Sequence, residues 1–329
     1  MLLARALLSL LSLDPKEPAM SHHVVTGAGP VGSTIALQLA DQGEPVRLVT
    51  RSGSGPEHPL IERRRADVAQ PDQLAAVLEG AHVVHHCVHA SRYDAATWRA
   101  ELIPAERALL AAAGEAGAVV VFPESLYSYG KVDGPIHEGL PRDATHGKQG
   151  IRTELLAARA DSPTPTVSVA AADFFGPRVL TSHAGERMVP TILAGRTMRV
   201  VGSLDQPHSF TYVPDLAAAM IRAAADPSLW NEVLHAPTGP ALTQRALITA
   251  FATAADVPAP RMGAIPAGLL RAIGLVHRDT RELAELSHQF TAPFVLDSRA
   301  SEERLGLKPT PFDAAIRETV AWWRARLSA

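Results

Sequence analysis

The stretch VVTGAGPVGS, residues 24–33, decides the fold. Gly27, Gly29 and Gly32 stand in G-x-G-x-x-G spacing, between the apolar run HHVV and the helix-periodic TIALQLADQG. A bare match to that pattern is weak, and its place between a strand and a helix strengthens it. In such a turn Gly27 permits the tight bend, Gly29 lets the backbone approach a pyrophosphate, and Gly32 lets the helix pack on the strand. Pro30 and Val31 open the helix, whose free N–H groups and positive dipole end face the phosphates. The alternative, a glycine-rich turn that binds nothing, carries less weight with both flanks in place.

Working outward, EPVRLVTR completes a strand–helix–strand unit, and further strands are expected at 64–68, 82–88, 118–122 and 166–171. PDQLAAVLEG, from Pro71 with Gly80 at its end, reads as a helix, and a longer one starts near Asp94. Alternating strands and helices predict an α/β fold, a Rossmann-type doubly wound parallel sheet covered on both faces. That domain is expected over residues 20–177. Beyond Pro177 the rhythm loosens, and residues 178–329 predict a smaller, mainly helical C-terminal substrate lobe with elements packing back on the sheet. Its generic pocket candidates are Phe174, Phe175, Arg187 and His208.

At the end of the second strand, where an acidic residue would hold the ribose hydroxyls of NAD, the chain has Arg51 followed by Ser52. A guanidinium and a hydroxyl there suit a 2′-phosphate, which favours NADP over NAD; a solvated arginine is the plain alternative. After the third strand, Asp67 either accepts a hydrogen bond from an adenine amino group, with Val68 against the ring, or caps the next helix. The cluster Arg63 to Arg65 is expected beside or within a short strand. A solvated face is favoured for it, with help to a charged cofactor as the other reading.

Composition narrows the class. Of 329 residues 47% are hydrophobic and 20% charged, as in a globular protein, and a net charge of −3 without a Lys/Arg run argues against a nucleic-acid partner. Cys87 is the only cysteine, which rules out an internal disulfide and a Cys-based structural zinc site and fits a reducing cytoplasm. The opening MLLARALLSLLSL falls short of the roughly 18 apolar residues a membrane span needs. Residues 1–19 are expected to be a leader or a misassigned start before Met20, with a signal peptide as runner-up, and no membrane partner is expected. His85, His86 and His89 invite a metal reading, but alternation along a strand separates His86 from the other two, and no metal is expected.

The order and spacing of further segments resemble the extended branch of the short-chain dehydrogenase/reductase superfamily, the NAD-dependent epimerase/dehydratase family. They are ADVAQPDQLAAVLEGAHVVHHCVHA, VVVFPESLYSYG, DFFGPR, SFTYVPDLAAAM and ERLGLKPTPFDAAIRETVAWW, and the resemblance covers most of residues 22–325. It implies a nicotinamide-dependent enzyme, with hydride exchange on a small carbonyl or sugar-like substrate, and it allows a homodimer through helices of the nucleotide domain. It places Cys87, Val88 and His89 beside the cofactor; for Cys87 a packed small residue is favoured over a reactive thiol. It also makes Ser125, five residues before the glycine of Tyr129-Gly130, the serine that holds the substrate oxygen; a turn serine bonded to backbone is the alternative.

The same resemblance implies a Tyr-x-x-x-Lys pair opening the helix near residue 146, in which the lysine eases the phenol's proton. Aligning that helix on Glu154 puts His146 at the tyrosine position and Gly150 at the lysine position. An imidazole can exchange a proton without a lysine beside it, and His146 is the expected acid/base. Lys148 is the nearest cation and a second candidate, although two helical positions are about 200° of rotation and it cannot simply replace the missing lysine. Tyr127 and Lys131 have the four-residue interval but sit on a loop, where that interval does not align side chains. Tyr127 and Tyr129, with Phe174 and Phe175, are expected to line the substrate pocket. A binding protein that kept the cofactor fold and lost the catalytic pair, acting as a sensor or scaffold, is the rival reading.

Overall fold

The computed structural model describes residues 22–266, 268 and 285–328, so the expectations for residues 1–19 lie outside the described residues. The first half runs β1 (His22–Thr26), α1 (Pro30–Asp41), β2 (Val46–Thr50), β3 (Ile61–Arg65), α2 (Pro71–Leu78), β4 (Ala81–His86), α3 (Ala95–Ala116), β5 (Val119–Ser125), α4 (Gly147–Ala160) and β6 (Thr166–Ala171). The second half adds β7 (Asp173–Phe175), α5 (Val189–Leu193), β8 (Met198–Val201), β9 (Pro207–His208), β10 (Phe210–Tyr212) and α6 (Val213–Ala224). Then come β11 (Glu232–His235), β12 (Leu242–Thr243), α7 (Gln244–Ala254), β13 (Met262–Ile265), α8 (Arg299–Leu305) and α9 (Phe312–Ser328).

Seven parallel strands form one sheet in the order β11-β6-β5-β4-β1-β2-β3. Successive residues feed opposite faces. Val24 and Val120 pack with Leu74, Leu109 and Phe122 under α2 and α3, while Val25 and Val121 pack with Ile35, Leu39, Leu216 and Met220 under α1 and α6. Fully burying one such Leu or Ile stabilises by about 1.5–3 kcal/mol, which is why strands covered on both faces read as unbroken apolar runs. The chain travels outward from β1 through β2 to β3, then returns to β4 on the other side of β1. The carboxyl ends of β1 and β4 therefore flank the crevice where such sheets bind ligands.

Three strand boundaries differ from the expectations: β4 is Ala81–His86 against an expected 82–88, and β3 and β5 depart from 64–68 and 118–122. β3 is Ile61–Arg65, because buried Ile61 starts the pairing opposite Val46, and the turn at Asp67, whose Oδ1 accepts the Ala69 N–H, ends it. Arg63, Arg64 and Arg65 are exposed on this edge strand, the first two paired with Glu57 and Glu62. β5 runs on through Pro123 to Ser125. The Val120 N–H points to the β6 side, so the Pro123 nitrogen points toward β4, and the ladder to β4 has already ended at Val121; no donor is missed.

The C-terminal half is not wholly separate from the sheet. β11 is its seventh strand and α6 lies on α1, while a second core of Phe175, Met188, Ile192, Phe251, Ile316 and Trp323 gathers α5, α7 and α9. No helix among the described residues is long and apolar enough to cross a membrane.

Charge, not only apolar packing, fixes α4. Arg159 is 2% exposed and forks onto Glu106 of α3 through Nε and Nη2, both at 2.8 Å. Its Nη1 donates to Glu124 Oε2 of β5 at 2.8 Å and to Ser168 of β6 at 3.0 Å. Burial alone would raise the Glu106 carboxyl, but the guanidinium outweighs it and holds the group below the usual carboxylate range. The network ties two helices to the two strands whose ends carry the site.

Candidate active site

The glycine turn has the geometry its spacing implies. Gly27 adopts φ +91°, and a Cβ there would lie 2.8 Å from the Cys87 carbonyl oxygen. A Cβ on Gly32 would lie 2.0 Å from the Gly27 oxygen, so that position packs helix on strand. A Cβ on Gly29 would meet no protein atom within 4 Å. Packing does not require glycine at residue 29, and the space over it is open. Pro30 and Val31 begin α1, whose N-cap Gly29 has no side-chain cap, leaving the helix's first N–H groups open to an anion. These residues fit the pyrophosphate of a dinucleotide.

Around this cradle, Arg51 and Ser52 follow β2. Arg51 is exposed with no hydrogen bond or close ion pair among the described residues, and the Ser52 hydroxyl bonds that of Ser54 at 2.7 Å. Asp67 bonds backbone within its own turn and Val68 packs under α2, so neither is committed to a helix cap. Cys87 lies against the glycine turn, and burial pushes its thiol up to about 12, which suits a packed residue and not a nucleophile. Val88 and His89 are exposed just beyond β4. His85 is fully buried and stacked on His23 at 5.7 Å, whereas His86 bonds Thr26 Oγ1 at 2.8 Å on the other face. Among the described residues no group of His, Cys, Asp and Glu side chains is placed to hold a metal ion.

Ser125 ends β5 and caps the short 3-10 turn Leu126–Tyr129, with its Oγ 3.4 Å from the Tyr127 N–H. Glu124 Oε1 accepts the Ser125 N–H at 2.7 Å and faces its hydroxyl at 3.3 Å. Because Oε2 of the same carboxylate is held by Arg159, the buried network ends on the serine. The Tyr127 hydroxyl lies 2.6 Å from that of Tyr93, and both rings pack on Trp98, Tyr127 stacked at 6.2 Å and Tyr93 edge-on at 5.4 Å. Arg152 of α4 covers Trp98 at 4.9 Å, with its Nε 3.5 Å from Glu124. The turn breaks at Gly130, φ +66°, and Lys131 is exposed beyond it, so the interval from Tyr127 to Lys131 pairs nothing.

The remaining expectations divide. His146 is the exposed N-cap residue of α4, makes no side-chain cap bond, and has its Nδ1 2.7 Å from Thr145 Oγ1. Lys148 is fully buried and turns to the lobe, its Nζ 2.7 Å from Glu285 Oε2 and 5.0 Å from the Tyr93 ring centre. Glu285 Oε1 also accepts the Lys148 N–H, and a Cβ on Gly147 would collide with that carboxylate. Tyr129 is 4% exposed with its hydroxyl on His235 and Arg142, and Phe175 is 1% exposed in the lobe core. The structure gives both to packing and keeps Tyr127 and Phe174 partly open.

Sequence reasoning missed Glu124, Tyr93, Arg152 and Asp173. The signal for Glu124 was available, since a carboxylate ending the apolar run VVVFP must be paired if buried. Asp173 accepts from His208 Nε2 at 2.7 Å; burial would raise its carboxyl, but the histidine more than offsets that and holds it below the usual range. His208 is 2% exposed among Phe210, Phe290 and Phe294, with Nδ1 on the Gln289 carbonyl at 3.0 Å.

Solved structures share this architecture. UDP-glucose 4-epimerase from Thermotoga maritima, solved with UDP-glucose, is 18% identical with a TM-score of 0.75, over 93% of this chain and 99% of that one. DesIV, a dTDP-glucose 4,6-dehydratase from Streptomyces venezuelae solved with NAD, is 18% identical at TM-score 0.74, over 93% and 98%. UDP-glucose 4-epimerase from Thermus thermophilus, solved with NAD, is 19% identical at 0.74, over 92% and 99%. At such identities the likeness concerns the fold. No curated protein sequence matches the chain. Residues 23–232, more than half of the chain, match the family described as NAD dependent epimerase/dehydratase, and with the glycine cradle and the strand order in agreement the chain belongs to that family.

Proposed function

We propose that the protein is an NADP-preferring oxidoreductase or epimerase-like enzyme acting on a small carbonyl or sugar-like compound. The observation that carries this reading is the open space over Gly29, at an uncapped helix start beside the sheet's crevice. Gly27, Gly29 and Gly32 with the N-terminus of α1 would hold the pyrophosphate, and Arg51 with Ser52 the 2′-phosphate. Asp67, Val68, Cys87, Val88 and His89 would border the remainder of the dinucleotide. When bound, the nicotinamide supplies hydride to the substrate carbon or removes it.

The chain's own residues supply orientation. Ser125 donates to the substrate oxygen, and Glu124, anchored by Arg159, holds the serine backbone in place. Tyr127 and Phe174 border the same space, with Asp173 on the lobe side. Of the solved structures named above one holds UDP-glucose and two hold NAD; two are UDP-glucose 4-epimerases and one a dTDP-glucose 4,6-dehydratase, which makes nucleotide sugars the first substrates to try. Gly150 at the position of the family's lysine favours the rival, a protein that binds the dinucleotide without turnover. A panel of nucleotide sugars, aldehydes and ketones with NADPH or NADP, followed at the nicotinamide absorbance band and by product chromatography, decides between them. Turnover of any member supports the enzyme; tight binding with no turnover throughout supports the sensor.

A further inference from the structure

We propose that the hydrogen-bonded phenols of Tyr127 and Tyr93 form the proton relay of this site, in place of the Tyr-x-x-x-Lys pair that α4 lacks; this rests on the oxidoreductase reading above. Three observations converge on it. Tyr127 follows Ser125 by one turn, with its N–H on the serine hydroxyl, so the phenol belongs to the loop that would hold the substrate oxygen. The hydroxyls of Tyr127 and Tyr93 are 2.6 Å apart, and Tyr93 is 46% exposed. Arg152, 8% exposed and with no hydrogen bond to its Nε, lies over Trp98, against which both tyrosine rings pack.

Two phenols in contact share one of their two protons, and the other is free to leave toward a third group. In the reducing direction a carbonyl carbon accepts hydride from a reduced nicotinamide dinucleotide, and the C=O π pair moves to the oxygen. The Tyr127 O–H bond breaks and its proton joins that oxygen. Tyr93 then donates its proton to the Tyr127 oxygen and regains one from water at its exposed edge. The net change is carbonyl, reduced dinucleotide and one proton to alcohol and oxidised dinucleotide. While charge sits on the pair, Arg152 is the cation beside it.

The surrounding groups keep the resting pair protonated, as a donor requires. Burial pushes the Tyr93 phenol up to about 12 and the Tyr127 phenol well above its ordinary value, and Asp173 adds to both shifts. Glu285 also raises Tyr93, while Arg152 acts in the opposite sense on each. Lys148 faces the Tyr93 ring, Glu124 lies 3.5 Å from Arg152, His89 packs edge-on against Trp98, and His208 bonds Asp173. His146 bonds its neighbour Thr145 and is hydrogen-bonded to neither phenol.

The test compares wild type, Tyr127→Phe, Tyr93→Phe and His146→Ala, using a substrate on which the wild type turns over. Tyr127→Phe is expected to lower kcat about 100-fold or more and Tyr93→Phe by about 10-fold, with NADPH affinity unchanged in both. A second readout needs no cofactor. In the ultraviolet phenolate titration, the wild type is expected to lose the two protons in separated steps, and Tyr93→Phe to alter the titration of the remaining phenol. Tyr93→Phe changes an exposed hydroxyl and keeps the test available should Tyr127→Phe misfold. Retained kcat in both tyrosine variants, additive phenol titrations, or collapse of kcat in His146→Ala alone would overturn the relay while leaving the oxidoreductase standing. An inert wild type would overturn both.

Discussion

Two of the helices that start at the carboxyl edge of the sheet, α1 and α4, are held in contrasting ways. α1 is fixed by close backbone packing and apolar side chains, with Gly32 against Gly27 and Ile35 and Leu39 buried, and its first turn is left open. α4 is fixed by charge, with Arg159 in the Glu106–Glu124 network, Arg152 near Glu124, and Lys148 on Glu285, which also closes its first turn. An open start can take a ligand's phosphates; a start capped by a carboxylate repels them. The start of α1 is therefore left open in the way the glycine turn implies, whereas the start of α4 is closed by a carboxylate.

The largest effect that would break this contrast is on stability. Arg159→Met leaves the Glu106 and Glu124 carboxylates buried without their guanidinium, and urea denaturation is expected to show a loss of about 3–5 kcal/mol. Acid should act along the same line. The Glu106 carboxyl lies below its unfolded value, so its contribution is complete above the ordinary carboxylate range and is lost as pH falls toward the depressed folded value. Hydrogen exchange should then show α4 amides losing protection before those of α1 as the solution is acidified; equal loss in both helices would erase the distinction.

Next is Gly29→Val, expected to weaken dinucleotide binding by on the order of 100-fold, ~2.7 kcal/mol, with the thermal midpoint nearly unchanged because a Cβ there meets no protein atom within 4 Å. A large drop in the midpoint with binding retained would assign this glycine to packing. Glu285→Gln weakens the cap on α4 and the charge on Lys148, and a cost of roughly 2 kcal/mol in denaturant titrations is expected with dinucleotide affinity unaltered. The smallest effect is at the adenosine end. Arg51→Ala should cost about 10-fold, ~1.4 kcal/mol, in NADPH affinity and leave NADH unchanged, as read by fluorescence titration.

The same contrast explains how much was legible in the sequence. The glycine turn, the alternation of strands and helices and the apolar runs of β1 and β6 are local patterns, and local patterns specified α1 and most of the sheet. β11 fell within the stretch read as a mainly helical lobe, because its place as the seventh strand depends on pairing with β6, far away in the chain. The candidate site followed the same rule. Ser125 entered the candidate site on its spacing to Tyr129-Gly130, whereas the Tyr93–Tyr127 contact joins two loops 34 positions apart and has no local signature. Tyr129 and Phe175 were read as pocket residues on chain position alone, and tertiary packing claimed both. Lys148 stood two residues from its expected place, and the direction it turns was set by Glu285, which no spacing within α4 could reveal.

Isothermal titration calorimetry of the purified chain with NADPH and NADH, run in parallel on Gly29→Val, bears most directly on the cradle. One site per chain, tighter for NADPH and lost in the variant while its fold persists, is the expected result. No heat from either nucleotide, or the same affinity with valine at residue 29, would contradict it.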